Sequence, residues 1–516
     1  MASLDDSLVK ITKGTGIAFA GTLAGMFIGF VSRPMIARYG TEADYGVYSL
    51  ALAIINICVV IAALGLHRGA TRSIAYARGK NDSERVQKLI PASLQFALIA
   101  GLSLGAIVFF ASDILAVKIF HDANLSFPLK IFALGIPFIN LKTVVVSIFR
   151  GFGDVKPKVY FQDILRPLLL LLFILPVVFL NLPFTGVFYA FLAALVISFV
   201  ALIVYTVKRL PVHIQFRTPI RANPVARELL LFSLPLLGVA VLVLIITWTD
   251  TLMLGGLKSS ADVGLYNAAH PLAQFISSPL SALGLIYVPV ASGLYAQGLM
   301  AEMRRNFSIL TKWLCAATLP LFLILFLFPD TVLGLLFGVS YASAVTALRI
   351  LSIGFIINNF LGPNGATLVA MGEVRFIMWT TLSSAVLNVG LNIALIPPFG
   401  IEGAAIASVA ALTSINLIVC RKLYSLTRAQ PLSKNLLKPT LVSLALVFLF
   451  QFIFGNFVTV TWWMLPLLFI LYYVIYGLAI LFTRSFDRED IAMLLAVEKR
   501  AGVNLSFAKK ILRKFL

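Results

Sequence analysis

The chain has 516 residues, of which 60% are hydrophobic and only 12% are charged. Because a soluble globular domain carries roughly 25% charged residues, this composition excludes an ordinary soluble protein. Apolar runs such as residues 168–182 and 319–328 lack the alternation of a membrane β-barrel, and they predict membrane helices of about 20 residues each. The sequence therefore predicts an all-α polytopic membrane protein.

Fourteen candidate membrane spans follow one another along the chain. They cover residues 14–39, 45–66, 89–111, 128–150, 158–180, 184–207, 228–256, 263–295, 307–328, 342–370, 376–396, 402–420, 439–458 and 461–483. Basic residues are concentrated near the N-terminus and in every second loop, whereas the opposite loops are short and poor in charge. By the positive-inside rule, both termini are expected on the cytoplasmic side of the inner membrane.

The net charge of +20 is explained by this loop asymmetry, so it does not indicate nucleic-acid binding. The three cysteines, Cys58, Cys315 and Cys420, lie in separate apolar spans and have no metal-binding spacing. No HExxH, nucleophile-elbow or glycine-rich phosphate-loop motif is present in the sequence. We therefore expect no catalytic residue, no metal ion and no cofactor.

A nine-residue motif occurs twice in the chain. Residues 43–51 read ADYGVYSLA and residues 261–269 read ADVGLYNAA, 218 positions later. Two further echoes have nearly the same spacing: GDVK at 153–156 with GEVR at 372–375, and Pro-Phe at 183–184 and 398–399. They predict two halves of six spans each. Since six is even, both halves enter the membrane in the same orientation and form two bundles around a central cavity, as in one class of secondary transporters.

The repeat also suggests how the chain divides. We expect an N-terminal six-helix bundle at 1–227, a C-terminal six-helix bundle at 228–425, two additional helices at 426–483, and a basic amphipathic cytoplasmic tail at 484–516. The tail mixes apolar and basic residues at helical spacing, which is typical of a helix lying on a membrane surface. A stop-transfer anchor or a partner contact is an equal alternative.

Three stretches of the sequence also carry a family resemblance. They read ARYGTEADYGVYSLA at 37–51, DTLMLGGLKSSADVGLYNAA at 250–269 and LNIALIPPFGIEGAAIAS at 391–408. The chain resembles polysaccharide flippases of the multidrug/oligosaccharidyl-lipid/polysaccharide exporter superfamily along essentially its whole length. The resemblance implies alternating-access transfer of an isoprenoid-diphosphate-linked oligosaccharide to the outer leaflet. It also implies membrane lipids and polysaccharide-assembly enzymes as partners.

Cations dominate the charged residues inside the predicted spans. A charge at the bilayer centre costs about 2.5–3.5 kcal/mol, so it needs a partner or a cavity. Arg33, Arg38, Lys142 and Arg349 are the candidates for a cavity that binds the anionic diphosphate, because guanidinium groups pair well with phosphate oxygens. The alternative for the three arginines is that their side chains extend to the membrane interface.

Three basic residues form a second candidate site. Arg68 and Arg72 are one helical turn apart and share a helix face, and with Arg150 they would form the cytoplasmic site where the diphosphate first binds. The alternative is that these charges set the topology beside anionic lipids. Asp163 and Arg166 are three residues apart and are expected to pair with each other.

Polar residues deep in the second half are the remaining candidates. Asp250 is predicted either to bind a coupling proton or sodium ion, or to pair with an arginine across the cavity. Asn359, Asn388 and Asn392 are candidates for contacts with sugar hydroxyls, although amides also join helices to one another. The sequence leaves these alternatives open.

Other functions fit parts of the pattern. An exporter of drugs or organic cations on the same fold would favour acidic residues in its cavity, whereas basic residues prevail here. A flippase for the peptidoglycan precursor shares the substrate chemistry and stays open. A membrane glycosyltransferase would need acidic residues on an outer loop, where Asp122, Asp330 and Glu402 are isolated. A lipid-linked oligosaccharide flippase is therefore the function we expect.

Overall fold

The computed structural model describes residues 4–210, 224–430, 437–457 and 464–482, and every regular element within these ranges is helical. The first half contains α1 (Leu4–Tyr39), α2 (Glu42–Ala62), α3 (Leu66–Gly79), α4 (Ser83–Ile114), α5 (Ser126–Ala133), α6 (Ile136–Gly151), α7 (Leu165–Phe179) and α8 (Thr185–Arg209). The later helices are α9 (Pro224–Leu257), α10 (Ser260–Gln274), α11 (Ser278–Ala296), α12 (Met300–Leu327), α13 (Pro329–Leu336), α14 (Val345–Phe360), α15 (Asn364–Ala370), α16 (Val374–Thr427), α17 (Leu437–Phe457) and α18 (Met464–Phe482). The predicted all-α class is confirmed.

Each predicted span coincides with a helix or with helices joined at a break. The spans 376–396 and 402–420 together form α16, which is interrupted at Gly400, where φ is +56°. By length and apolar composition, eight helices of the described residues could cross a membrane, or nine if one bent pair counts as a single span. The protein is thus a multi-pass membrane protein, and the number of fourteen spans stays a prediction.

A break separates α2 from α3. Leu64 and Gly65 have positive φ angles of 49° and 72°, which ends the regular hydrogen-bond pattern of α2. The amide of Asn140 compensates in part, because its Nδ2 donates to the carbonyl oxygen of Ala62 at 3.0 Å and to that of Ala97 at 2.8 Å. Buried carbonyl groups at a helix end need such partners. The break is therefore a supported feature of the bundle.

A π-helix precedes α7 and covers Lys158–Ile164. It packs closely on α1, since a β-carbon on Gly25 would overlap the backbone of Asp163. A π-helix has i→i+5 hydrogen bonds, so it changes which side chains share a face, and such wide turns are frequent at functional sites. This local geometry decides the charge pairing described below.

Packing divides the chain into two compact units, the first ending at Gly264 and the second beginning at Leu265. In the first unit, α9 packs against α2, α3 and α4, and Leu66, Ile74 and Phe149 belong to a buried core. In the second unit, α14 packs against α12 and α16. The predicted domain boundaries at 227 and 425 rest on the sequence repeat and stay a prediction, and the tail at 484–516 lies outside the described residues.

Both copies of the repeated motif begin a helix with the same reciprocal cap. At α2, the backbone N–H of Asp44 donates to Thr41 Oγ1 at 3.1 Å, and the Thr41 N–H donates to Asp44 Oδ2 at 3.0 Å. At α10, the same two bonds join Ser259 and Asp262, each at 3.2 Å. This is a capping box, which satisfies two backbone donors at a helix start. The recurring letters therefore encode a recurring helix start.

Candidate functional site

Lys142 lies in α6 and is only 2% exposed. Its Nζ donates to Ser198 Oγ of α8 at 3.1 Å, and Ser198 Oγ in turn donates to the carbonyl oxygen of Leu195. Within the described ranges, no carboxylate forms an ion pair with Lys142. The site therefore holds a buried amine that is paired with no acid of the described residues.

Arg33 of α1 lies close to two tyrosines of α2. The positive charge of Arg33 acts electrostatically on the hydroxyl groups of Tyr45 and Tyr48. Both tyrosines are nearly inaccessible, at 1% and 4% exposure, whereas Arg33 is half-buried. Arg33 is thus partly exposed, whereas the two tyrosines on which its charge acts are buried.

Arg166 of α7 joins the same group. Its guanidinium carbon lies 5.2 Å from the ring centroid of Phe191, within the range of a cation–π contact. It interacts electrostatically with Tyr48 and with Lys142. We call Arg33, Lys142 and Arg166 the cation cluster. Within it, Lys142 and Arg166 act on each other, and Arg33 and Arg166 both act on Tyr48 of α2.

Asp163 does not pair with Arg166, so that prediction is wrong. Its Oδ2 accepts from Lys158 Nζ at 2.8 Å and from Thr22 Oγ1 of α1 at 2.9 Å. The reason is the π-helix. Residues five apart, such as Lys158 and Asp163, share a face there, whereas Asp163 and Arg166, three apart, do not face each other. Arg166, which the sequence interpretation assigned to a structural pair, is therefore left to the cation cluster.

The other two predicted cavity arginines have different surroundings. Arg38 is exposed in the last turn of α1. Arg349 belongs to the second unit, where its Nε donates to the carbonyl oxygen of Phe326 at 3.1 Å and its Nη2 lies 3.8 Å from Asp330 Oδ2. These contacts join α14 to the C-terminal end of α12 and to α13. Arg349 thus makes these contacts within the second unit.

The three predicted cytoplasmic arginines are all exposed. Arg68 and Arg150 come from α3 and α6, and both interact electrostatically with His67. Arg72 has its guanidinium carbon 4.3 Å from the ring centroid of Phe232 in α9. Arg68 and Arg150 therefore both lie near His67. Arg72, one helical turn after Arg68, packs on the Phe232 ring instead.

The polar candidates of later helices are buried. Asp250 in α9 is 5% exposed. Asn359 in α14 is fully buried, and its Nδ2 donates to the carbonyl oxygen of Ile276 at 2.6 Å and to Thr318 Oγ1 at 3.1 Å. These are helix-joining bonds. Asn388 and Asn392 are buried on one face of α16.

Comparison with known sequences identifies the family. Residues 11–295, more than half of the chain, match the family of polysaccharide biosynthesis proteins. The chain belongs to this family. A second match, to the MatE family, covers residues 235–394 and overlaps the first match in the middle of the chain.

Two curated relatives illustrate the range of the family. Stage V sporulation protein B of Bacillus subtilis is 23% identical over 430 residues, which are 79% of this chain and 82% of the relative. The probable low-salt glycan biosynthesis flippase Agl15 of Haloferax volcanii is 27% identical over 165 residues, 31% of this chain and 34% of that protein.

Solved structures define the fold. The lipid II flippase MurJ in an inward closed conformation superposes with a TM-score of 0.67 at 17% identity, covering 89% of this chain and 98% of MurJ. A multidrug resistance MATE transporter in its inward-facing conformation gives a TM-score of 0.66 at 17% identity, covering 78% of this chain and 95% of the transporter. The fold is therefore that of the multidrug/oligosaccharidyl-lipid/polysaccharide superfamily, as the sequence resemblance predicts.

Proposed function

We propose that the protein is a flippase that moves an isoprenoid-diphosphate-linked oligosaccharide from the cytoplasmic to the outer leaflet. Its family takes part in polysaccharide biosynthesis, one relative is named as a probable glycan flippase, and the fold is shared with a lipid II flippase. The observation that carries the proposal is the cation cluster, because it predicts the charge of the substrate.

The cluster concentrates positive charge where such charge is costly. Lys142 and Arg166 interact with each other as like charges, and neither forms an ion pair with a carboxylate of the described residues. Each unpaired charge at membrane depth costs about 2.5–3.5 kcal/mol. An incoming diphosphate would relieve both the burial cost and the repulsion, so the cluster favours an anionic substrate over an organic cation.

The proposed cycle begins on the cytoplasmic side. The exposed Arg68, Arg72 and Arg150 attract the diphosphate, which then passes to the cation cluster, while the isoprenoid tail stays in lipid. Neutralisation of the cluster lowers the cost of closing around the head group, and rocking of the bundles exposes the sugars outside. Both termini are cytoplasmic in this scheme, and polysaccharide-assembly enzymes receive the product.

The buried polar residues have separate roles in the proposal. Asn388 and Asn392 are the amides assigned to sugar hydroxyls, whereas Asn359 is assigned to helix packing because its amide joins α14 to two other segments. Asp250 keeps its two alternatives, ion coupling and pairing across the cavity. Arg38 and Arg349 are assigned to the membrane interface.

Headgroup translocation in proteoliposomes tests the proposal. A fluorescent isoprenoid-diphosphate oligosaccharide is added to wild type, to an Arg33→Ala/Lys142→Ala double variant, and to Lys118→Gln, which removes an exposed cation of the same unit. We expect transport by wild type and by Lys118→Gln, and loss in the double variant at equal thermal stability. Efflux of an organic cation without lipid translocation would instead place the protein with drug exporters.

A peptidoglycan precursor is the second candidate substrate, because the solved flippase with this fold is named for lipid II. It carries the same isoprenoid diphosphate, so the cation cluster suits both lipids. Competition between lipid II and a lipid-linked oligosaccharide in the same assay separates the two. The lipid that is translocated with the higher initial rate at equal concentration is the preferred substrate, and the sugar contacts then account for the preference.

A further inference from the structure

We propose that a patch of four side chains in the second unit binds the sugar part of the lipid-linked substrate. The patch consists of His270 of α10, Ser277 in the turn that follows, and Phe355 and Asn358 of α14, all of them half-buried. This inference rests on the proposed function and deepens it, because it names a glycan subsite that is built by the second unit alone.

The helix that carries the first half of the patch is interrupted inside the predicted span 263–295. α10 ends at Gln274, a single 3₁₀ turn covers Phe275–Ser277, and α11 begins at Ser278. At about 1.5 Å per residue, the turn lies about 22 Å along the helix from Ser260, which is within the thickness of a bilayer core. Irregular backbone at that depth is tolerated only inside the protein or beside a water-filled cavity. The partly exposed turn is therefore expected to line such a cavity, as broken helices do at transporter substrate sites.

Three rings form a stack just before this break. The His270 ring stacks on the Tyr266 ring with 5.6 Å between centroids, and it meets the Phe355 ring edge-on at 5.8 Å. Tyr266 is only 2% exposed, so the stack is anchored in the core and ends in two partly exposed rings. Aromatic rings held in this way present a rigid surface with a negative face, against which the C–H groups of a sugar ring can pack.

A hydrogen bond places an amide next to these rings. Asn358 lies one turn after Phe355 in α14, and its Nδ2 donates to Ser277 Oγ at 3.4 Å. This distance is long for an N–H···O bond, and a carboxamide has a second N–H donor and an acceptor oxygen. The neighbouring Asn359, in contrast, is fully buried and donates two bonds of 2.6 and 3.1 Å. Asn359 thus fixes α14 in place, and Asn358 retains groups that can bond to sugar hydroxyls.

The patch lies in two segments of the chain that lack acidic and basic residues. Residues 263–301 and 350–372 contain no Asp, Glu, Lys or Arg. These segments offer a diphosphate no cation and an organic cation no carboxylate, whereas a neutral glycan needs aromatic faces and a few hydrogen-bonding groups. The isoprenoid tail fits poorly, because covering an amide and a hydroxyl with hydrocarbon removes their hydrogen bonds to water. A neutral oligosaccharide is therefore the ligand whose chemistry the patch matches.

The affinities for two fluorescent lipids test this assignment. Both lipids carry the same isoprenoid diphosphate, one with an oligosaccharide and one without sugar, and both are titrated against the purified protein in detergent. Wild type is expected to bind the glycan lipid more tightly. In Phe355→Leu and in Asn358→Ala that affinity should fall about threefold to tenfold, because each variant loses an aromatic contact or a hydrogen bond. The affinity for the sugar-free lipid should stay the same.

Three controls separate contact with sugar from effects on the fold. Phe355→Tyr keeps the ring and should retain the affinity for the glycan lipid. Asn416→Ala removes an amide that bonds within its own helix, and Phe110→Leu removes a ring that is 80% exposed in the first unit. Both should match wild type. Should Asn358→Ala fold poorly, Ser277→Ala decides, because it removes the hydroxyl of the same patch.

The outcomes that overturn the inference are distinct from failure of the proposed function. If wild type binds both lipids equally, the patch does not contact sugar. The same conclusion follows if Phe355→Leu and Asn358→Ala weaken both lipids by one factor, or weaken neither. If tetraphenylphosphonium displaces the glycan lipid from wild type but not from Phe355→Leu, the rings bind organic cations instead. Failure of wild type to bind either lipid would contradict the proposed function itself.

Discussion

Gly46 and Gly264 occupy the same position in the two copies of the repeated motif, and they face each other at one helix crossing. A β-carbon on Gly46 would overlap the carbonyl oxygen of Ser260 and approach the backbone N of Gly264 at 2.9 Å. A β-carbon on Gly264 would overlap the carbonyl oxygen of Glu42 and lie 3.1 Å from the backbone N of Gly46. Each copy therefore packs into the space that the missing side chain of the other leaves.

This reciprocity predicts that even a methyl group at either position is harmful. We expect Gly46→Ala and Gly264→Ala each to lower the free energy of unfolding by about 1–3 kcal/mol, the range for overpacking. The neighbours are backbone atoms, which cannot move aside as a flexible side chain would. Thermal unfolding of the purified protein in detergent measures the effect.

Gly256→Ala is the matched control for these substitutions. It lies in α9, and the nearest atom to its added β-carbon would be the Ile119 carbonyl oxygen at 3.7 Å, an ordinary contact. Alanine is also the better helix former, so stability should be unchanged or slightly higher. Equal unfolding temperatures for Gly46→Ala and Gly256→Ala would contradict the close crossing of the two motifs.

Helix positions were predictable because membrane spans are defined by length and apolar content, which the sequence carries directly. The breaks were less predictable. The positive φ angles at Leu64 and Gly65 depend on packing against α9, where a β-carbon on Gly65 would overlap Ser233. Such long-range contacts leave no periodic signal, so the sequence predicted one span at 45–66 and treated the residues of α3 as part of the loop that follows.

The site was predictable only in part. Lys142 stood out because its position deep in an apolar run is improbable without a function, and the structure buries it. Arg166 was missed because its three-residue distance from Asp163 is the spacing of a helical ion pair. The signal that could have revealed it was Lys158, five residues before Asp163, but that spacing has meaning only once a π-helix is known.

A double-mutant cycle on the π-helix tests this pairing. Lys158→Gln and Asp163→Asn should show a coupling free energy of about 1 kcal/mol or more, because contacting residues of one polar network are not additive. Asp163→Asn with Arg166→Gln should show coupling below about 0.5 kcal/mol, as expected for side chains that share no bond. Both cycles use the unfolding free energy in detergent. A larger coupling to Arg166 than to Lys158 would restore the original pairing prediction.

Asn359 is expected to matter for stability and not for substrate choice. Asn359→Ala removes the two bonds to Ile276 and Thr318 and leaves a buried carbonyl without its donor, so the unfolding free energy should fall by about 1–3 kcal/mol. Asn416→Ala is the control, because the Asn416 side chain donates to the carbonyl oxygen of Leu412 within its own helix. A changed preference among sugars in folded Asn359→Ala would show that Asn359 touches the substrate.

Arg85 and Glu228 form an ion pair between the start of α4 and the start of α9. Arg85 Nη2 lies 2.5 and 2.6 Å from the two carboxylate oxygens, but the side chains are 34% and 64% exposed. Exposed pairs contribute about 0–1 kcal/mol, so Glu228→Gln alone should change stability little. Glu228→Lys should be clearly worse, because it places two cations together at one helix contact.

Charge reversal on both sides separates the pair from the individual residues. Arg85→Glu/Glu228→Arg should recover most of the stability lost in Glu228→Lys, and the loss itself should shrink in about 0.5 M salt, which screens exposed charges. Glu84→Lys is the control, because its partner Lys88 lies on the same helix and such pairs contribute about 0.3–0.5 kcal/mol. If the double reversal is no more stable than Glu228→Lys, the contact of α4 with α9 depends on packing and not on this ion pair.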